Sequence, residues 1–252
     1  MLRSLLPVLL FTFGTIGSIS ATADGLRVGL SPDYPPLVYR QDGNIVGIEA
    51  DNVAAVSKII GQKMTLVEMP FEKLLPALQA GEIDVVMSGL SITAERREQV
   101  TFTDPYMGIG QMAIMHRDKV ARFSQPRAIY RENVRIGVEP GTTGAFFVED
   151  KIKDAQVKFF SNPAAAFAGL RNDEIDLYIH DAPTSWQLAT STENSDLISQ
   201  YSMLTDEALA WAVRKDDHGL VSELNKALVT MKGNGTLRII LNRWIPVTIE
   251  VN

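Results

Sequence analysis

The chain has 252 residues, a formal net charge of −6 and no cysteine. An acidic balance disfavours nucleic acid and anionic membranes as partners, because both are negative; without cysteine there is no disulfide framework, thiolate nucleophile or Cys-ligated metal. The length suits one large domain or two modest lobes, each able to bury its own core.

Residues 1–23 read as an address. Arg3 supplies a positive start, an apolar run follows from Leu5 to Ile19 with Pro7, Gly14 and Gly17 inside it, and Ala21-Thr22-Ala23 gives the small-x-small pattern of a signal peptidase site. The run is shorter than the ~20 residues of a spanning helix, so cleavage after Ala23 is expected; the alternative is an uncleaved membrane anchor. No cysteine follows to carry a lipid. A cysteine-free chain is neutral about compartment, so this segment alone carries the expectation of export.

Beyond it, short β-rich runs alternate with helical patterns. Leu26 to Leu30, Met64 to Val67, Asp84 to Met87 and Met112 to Met115 read as strands. Val53, Val56 and Ile60 recur at helical spacing, and Leu74, Leu75 and Leu78 give a second helix from Glu72 that stops at Gly81. Pro76 fits that helix only in its first turn, where a missing N–H costs little. The pattern then restarts. Val134 to Val138 echoes the opening strand, Val157 to Phe160 and Ile175 to Ile179 continue it, and Ala164 to Leu170 is helical between them. Ala208 to Val213 reads as a last strand, and Leu220 to Met231 and Thr236 to Trp244 as helices. Alternation of this kind predicts an α/β fold of largely parallel sheets flanked by helices. Two such series predict two similar lobes. Open parallel sheets bind ligands beyond the carboxyl ends of their strands, so the loops there are the candidates.

Three loops stand out. After Val85-Val86-Met87 comes Ser88-Gly89-Leu90-Ser91-Ile92-Thr93, with Thr93 placed to cap a helix from Ala94. Its hydroxyls and free N–H groups suit an anion, and Arg96 can reach the same anion with a forked hydrogen bond. The bland alternative leaves Arg96 and Arg97 as solvated surface charges. Glu139-Pro140-Gly141-Thr142-Thr143 is a second anion-friendly loop, or an ordinary turn with a cap. At His180-Asp181-Ala182-Pro183 an acid beside a cavity can hold an ammonium, or simply cap a helix.

Taken together, in order and spacing, these stretches resemble the periplasmic amino-acid-binding proteins of ABC importers, of the histidine-, glutamine- and arginine-binding type. The resemblance runs through Arg27-Val28-Gly29, Tyr34-Pro35-Pro36, Gly47-Ile48-Glu49-Ala50-Asp51, Leu75 to Asp84, Ser88 to Arg96, Phe102-Thr103-Asp104-Pro105-Tyr106, Gly141-Thr142-Thr143, His180-Asp181 and Gly233-Asn234-Gly235-Thr236. It implies the two-lobed periplasmic-binding-protein fold. Lobe 1 would be built discontinuously from residues 24–107 and 207–252 and lobe 2 from 111–201, with hinges near 108–110 and 202–206. It implies that Arg96, Ser91 and Thr142 meet a ligand carboxylate, that Asp181 and the Ser88–Gly89 loop meet its ammonium, and that Tyr34 and Phe71 cover it. Thr143 and His180 lie beside these positions and are expected to line the site. Two departures matter. Many relatives carry an Asp where this chain has Ser31, and apolar or basic residues where it has Glu139. A buried Glu139 needs a positive partner or a raised pKa and leans the reading towards a polar or cationic side chain; otherwise Glu139 faces solvent and says nothing.

The implied partners are a small amino-acid-like ligand and the membrane subunits of an ABC transporter, with the protein periplasmic and monomeric. No cofactor or metal is expected. Gly108-Ile109-Gly110-Gln111-Met112-Ala113 fits a dinucleotide fingerprint as text but leads into a strand, which favours a hinge. One enzymatic reading survives. Periplasmic cyclohexadienyl dehydratases resemble the same receptors, and Glu139 or His180 would then be the general acid. A receptor serving a signalling partner is the third reading.

Overall fold

The computed structural model describes residues 25–245. The leader at 1–23 with its cleavage position, and residues 246–252 at the end of the second lobe-1 segment, lie outside the described residues.

Two five-stranded sheets are built on one plan. The first has the order β5 (Met64–Glu68), β1 (Leu26–Leu30), β6 (Val85–Val86), β15 (Ala212–Arg214), β7 (Val100–Phe102). In it β1 pairs in parallel with β5 and β6, while β15 runs antiparallel to both β6 and β7. The second has the order β11 (Gln156–Phe159), β10 (Arg135–Val138), β12 (Leu177–Asp181), β9 (Gln111–His116), β13 (Leu197–Ser199). Here β10 is parallel to β11 and β12, and β9 is antiparallel to β12 and β13. Each sheet therefore has a single reversed strand in the fourth place, and the rest run one way. That is the predicted two-lobed α/β architecture, with mixed sheets in place of purely parallel ones.

Burial follows the alternation of apolar and polar positions. Helices α1 (Ile48–Ile60), α8 (His218–Gly233) and α9 (Thr236–Trp244) pack Val53, Val56, Leu224, Leu228 and Leu241 around Trp211 on one face of the first sheet. On the other face, α2 (Leu74–Gln79) contributes Leu74 and Leu78 beside Ile83 and Val86. In the second lobe α4 (Val120–Phe123) and α5 (Thr143–Lys151) cover one face, and α6 (Pro163–Arg171) and α7 (Ala182–Leu188) the other. Pro76 does fall in the first turn of α2, which a short 3₁₀ turn at Phe71–Lys73 precedes.

Both lobes share an ionic staple. Asp84, entering β6, accepts from the Arg27 backbone N–H at 2.9 Å and its side-chain Nη2 at 2.8 Å. Asp176, entering β12, accepts from the Arg135 N–H at 3.1 Å and Nη2 at 2.7 Å, and adds Lys119 at 2.9 Å. Each staple ties a strand's start to its neighbour.

The sequence reading of Ala208 to Val213 as one strand needs correction. It is two, β14 (Glu207–Leu209) and β15, in different sheets. β14 pairs with β8 (Met107–Ile109) in an antiparallel ribbon, and the chain changes partner across Ala210 and Trp211. A continuous apolar run cannot show where its pairing partner changes. Strands β2 (Asp33–Tyr34), β3 (Val38–Gln41) and β4 (Asn44–Val46) form a small meander that leads into α1. Gly110 packs so closely at the crossing that an added Cβ would lie 2.1 Å from the Thr205 carbonyl oxygen. It leads into β9 and not into a helix, so the fingerprint is not a nucleotide site.

Candidate functional site

The carboxyl ends of β1, β6, β10 and β12 face a common cleft of about 530 Å³, its mouth included. Small-molecule sites commonly occupy 300–1,000 Å³. Ser31, Tyr34, Phe71, Ser88, Gly89, Ser91, Arg96, Glu139, Thr142, Thr143, His180 and Asp181 all line it. Three further residues, Asp33, Gln111 and Ile179, complete the wall.

Helix α3 (Ala94–Gln99) places Arg96. The Thr93 hydroxyl caps it by accepting from the Arg96 N–H at 3.1 Å, which turns the side chain back towards the Ser91 loop. Arg96 is 5 % exposed, and its guanidinium donates to the Ser91 carbonyl at 2.8 Å and the Gly141 carbonyl at 2.9 Å and lies 5.8 Å from the centre of the Phe71 ring. Among the described residues no carboxylate comes within ion-pair distance of it. Burial lowers its pKa, against the charges of Asp181, Glu207 and Glu95. Arg96 is thus a desolvated cation short of an anion, and the solvated alternative fits only Arg97, which is exposed.

The Ser88–Gly89 loop is held from behind by Glu49, which is fully buried. Its carboxylate accepts from the Gly89 N–H at 2.9 Å, Tyr106 at 2.8 Å, Trp211 Nε1 at 3.1 Å and Asn52 at 3.3 Å. Burial raises its pKa, and these donors oppose the rise. Gly89 has φ 65°, and an added Cβ would sit 2.8 Å from the Tyr34 ring, so glycine is required both by backbone and by space. Ser88 Oγ accepts from the Ser31 N–H at 2.9 Å and closes the loop against β1.

From the other lobe, Asp181 ends β12 just before α7, yet its side chain makes no capping bond. It instead accepts from the Tyr34 hydroxyl at 2.5 Å, across the cleft, and from Gln111 Nε2. Burial raises its pKa, opposed by His180 and Tyr34. Thr142 does cap α5, accepting from the Ala145 N–H at 3.2 Å while lining the cavity. Glu139 turns inward: it accepts from the Tyr178 hydroxyl and lies 3.3 Å from His180 Nε2. The solvent-facing alternative for Glu139 is therefore wrong. Burial would lower the His180 pKa, but the Glu139 hydrogen bond and charge, with Asp181, outweigh it and raise the group above the ordinary histidine range. Among the described residues His180 Nδ1 has no hydrogen-bond partner. Tyr34 stands edge-on to the His180 ring at 4.9 Å.

Two contributors escaped the sequence reading. Gln111 Nε2 touches Asp181, Thr143 at 3.0 Å and Glu207 at 3.2 Å, so it links the cleft to the ribbon. Nothing in a glutamine that follows a glycine advertises this. Glu49 belongs to the Gly47-to-Asp51 stretch, but only tertiary packing brings Gly89 to it. A buried cation facing a buried carboxylate across a closable gap can hold a zwitterion by both ends. Within the described residues no group of His, Cys, Asp and Glu is arranged to hold a metal.

Bacterial extracellular solute-binding proteins, family 3, match residues 26–247. The ABC transporter arginine-binding protein 1 of Escherichia coli is 31 % identical over 244 residues, 94 % of this chain and 95 % of that one. An ancestral amino-acid-binding protein described as a precursor of cyclohexadienyl dehydratase superposes with TM-score 0.81 at 31 % identity, over 87 % of this chain and 95 % of that one. A binding component of an ABC transporter from Wolinella succinogenes, complexed with lysine, gives TM-score 0.82 at 27 % identity, over 88 % and 96 %. The chain belongs to family 3 of the bacterial extracellular solute-binding proteins.

Proposed function

We propose that the protein captures a free amino acid, or a close zwitterionic relative, by closure of its two lobes and delivers it to the membrane subunits of an ABC importer. The observation that carries the reading is the Arg96 guanidinium, buried with only two carbonyl partners and facing Asp181. A ligand carboxylate between Arg96, the Ser91 hydroxyl and Thr142 supplies the missing anion. The ammonium then meets Asp181 and the Ser88–Gly89 loop, while Tyr34 and Phe71 cover the ligand.

Closure is supported by the bonds that cross the cleft: Tyr34 to Asp181, Arg96 to the Gly141 carbonyl, and Thr184 to the Pro35 carbonyl at 3.2 Å. Lobe 1 spans 24–107 and 207–252 in this reading and lobe 2 spans 111–201, with hinges near 108–110 and 202–206 flanking the β8–β14 ribbon. Ligand binding selects the closed form because only that form completes the cage. The protein acts as a monomer in the periplasm after cleavage at Ala23, and it is a receptor and not an enzyme. The named relative binds arginine, and Glu139 in the wall favours a polar or cationic side chain here too.

A thermal-shift panel of amino acids and related carboxylates tests this. A ligand at a thousand times its Kd adds about 4 kcal/mol of stability. If no zwitterion raises the melting temperature while other metabolites do, the reading fails. The dehydratase reading draws on the His180–Glu139 pair beside the cavity and on the ancestral precursor above. A ligand that is consumed on incubation, with a new product by mass spectrometry, would replace the receptor by the enzyme.

A further inference from the structure

The cleft does not end at its inner wall. A second, larger chamber of about 1230 Å³, its mouth included, adjoins it and shares Ser31, Asp33, Phe71 and Glu139 with it. These four residues are the boundary, or waist, that the two have in common. We propose that the ligand site extends through the waist, and that the cognate ligand is an amino-acid head carrying a tail longer than a single basic residue and cationic at its far end.

Ser31 is the first reason. Its position ends β1 at the waist, it is only 8 % exposed, and its hydroxyl makes no hydrogen bond among the described residues although its N–H is bonded to Ser88. The hydroxyl is not sealed from solvent but faces the cleft, where a polar group threading the waist can bond to it. Glu139 does not block the passage, because Tyr178 and His180 hold its carboxylate to the lobe-2 wall. A small residue on one side and a restrained acid on the other are what would let the tail pass.

Charge is the second. The inner chamber holds Arg96 at its far end, whereas the outer chamber is lined by Asp33, Glu68, Glu72 and Glu139 with no lysine or arginine. Glu68 is paired with Arg40 from outside the lining, but Asp33 and Glu72 have no ion-pair partner among the described residues. The inner lining sets Arg96 against Asp33, Glu139 and Asp181, whereas the outer one carries carboxylates alone, so a cation is favoured most beyond the waist. An acidic lining alone would say little. Joined to a small-residue waist and a hydroxyl free to bond there, it sets the sign of the tail's end.

Apolar surface is the third. Phe71 reaches both chambers, and Phe159 and Phe160 line the outer one, Phe159 at 52 % exposed. They offer a greasy channel for a methylene chain between two polar ends, as a stretched aliphatic linker needs.

This inference rests on the zwitterion reading above, and the test separates the two. Calorimetric titration of the mature protein would compare L-alanine, L-lysine and the isopeptide Nε-(L-lysyl)-L-lysine, which keeps a free head and extends a cationic tail. The isopeptide is expected to bind at least tenfold tighter than L-lysine. That margin should shrink as salt is raised from 20 to about 300 mM, because exposed carboxylates are screened. The double variant Glu68→Gln, Glu72→Gln, at two residues that line only the outer chamber, should remove most of the margin and leave L-alanine unchanged. Ser31→Phe should weaken the isopeptide more than L-alanine. If L-alanine or L-lysine binds in an Arg96-dependent way while the isopeptide binds no tighter than L-lysine, the extended site is wrong and the zwitterion reading stands. Equal loss of all three ligands in the double variant also overturns it. If none of the three binds, both readings fall.

Discussion

Lobe 1 and lobe 2 repeat one sheet order, with one reversed strand at the same place and an Arg–Asp staple at the same pair of strands. What they present to the cleft differs. Lobe 1 offers a cation wrapped by carbonyls and a loop of hydroxyls and N–H groups. Lobe 2 offers carboxylates steadied by a phenol, an amide and an imidazole. The frame is shared because packing a twisted sheet between helices has few solutions. The loops beyond the strand ends are free to diverge because they carry no core. A duplicated scaffold can therefore hold the two ends of a dipolar molecule with opposite chemistry.

The staples give the sharpest way to break the comparison. Asp176 is 1 % exposed and joined by Arg135, Lys119 and Arg122, whereas Asp84 keeps more contact with water. Asp176→Asn should cost about 3 kcal/mol, the low end for a broken buried ion pair because its cations remain partly wet. Asp84→Asn should cost about 1 kcal/mol. Urea denaturation measures both, and equal losses would show the lobes to be alike in stability as well as in plan. Burial pushes Asp176 up, but the hydrogen bonds from Arg135 and Lys119 prevail and hold it well below the usual carboxylate range. Its contribution is complete above about pH 4 and drains away as pH falls through the depressed folded value. At pH 7 the variant shows the full deficit.

Next in size is the cleft itself. Arg96→Ala should weaken amino-acid binding about 100-fold, since truncating a buried charged partner costs roughly 2–5 kcal/mol, while circular dichroism stays native. Undiminished affinity by calorimetry would refute the role given to Arg96. Asp181→Asn should cost about tenfold, one charge-assisted hydrogen bond at the ammonium end. If both variants lose affinity for simple carboxylates equally, the division of labour between the lobes is wrong.

The smallest effect concerns His180 and Glu139. The folded pKa of His180 is raised, so the stability it adds is full below about pH 6.5 and disappears as pH climbs through the folded value. The melting temperature of wild type should exceed that of Glu139→Gln more at pH 5.5 than at pH 8.5. A difference that is flat across this range would show that the pair is not charged in the folded protein.

Much of this was legible in the sequence because it is local. Leu26 to Leu30 and its echo at Val134 to Val138 announced the repeated sheets, and hydroxyls after a strand marked the loops that carry Ser88, Ser91 and Thr142. The Thr93 cap was readable because its partner lies three residues on. What escaped depends on distant contacts. Ala208 to Val213 hid a change of sheets inside an unbroken apolar run. Glu49 meets Gly89 across 40 residues and Gln111 meets Glu207 across 96, and neither spacing leaves a pattern in the chain. Glu139 was singled out for its type, but only the fold shows that Tyr178 and His180 turn it inward.

The β8–β14 ribbon has a mechanical consequence. Because the two crossings are hydrogen-bonded to each other from Met107–Leu209 to Ile109–Glu207, they bend as one strip and not as two strings. A strip has one soft direction, a twist about its length, and resists sideways shear. On the proposed hinge, the lobes would swing like covers on a single spine, and a molecule gripped deep in the fold would be reported at both outer rims in the same stroke.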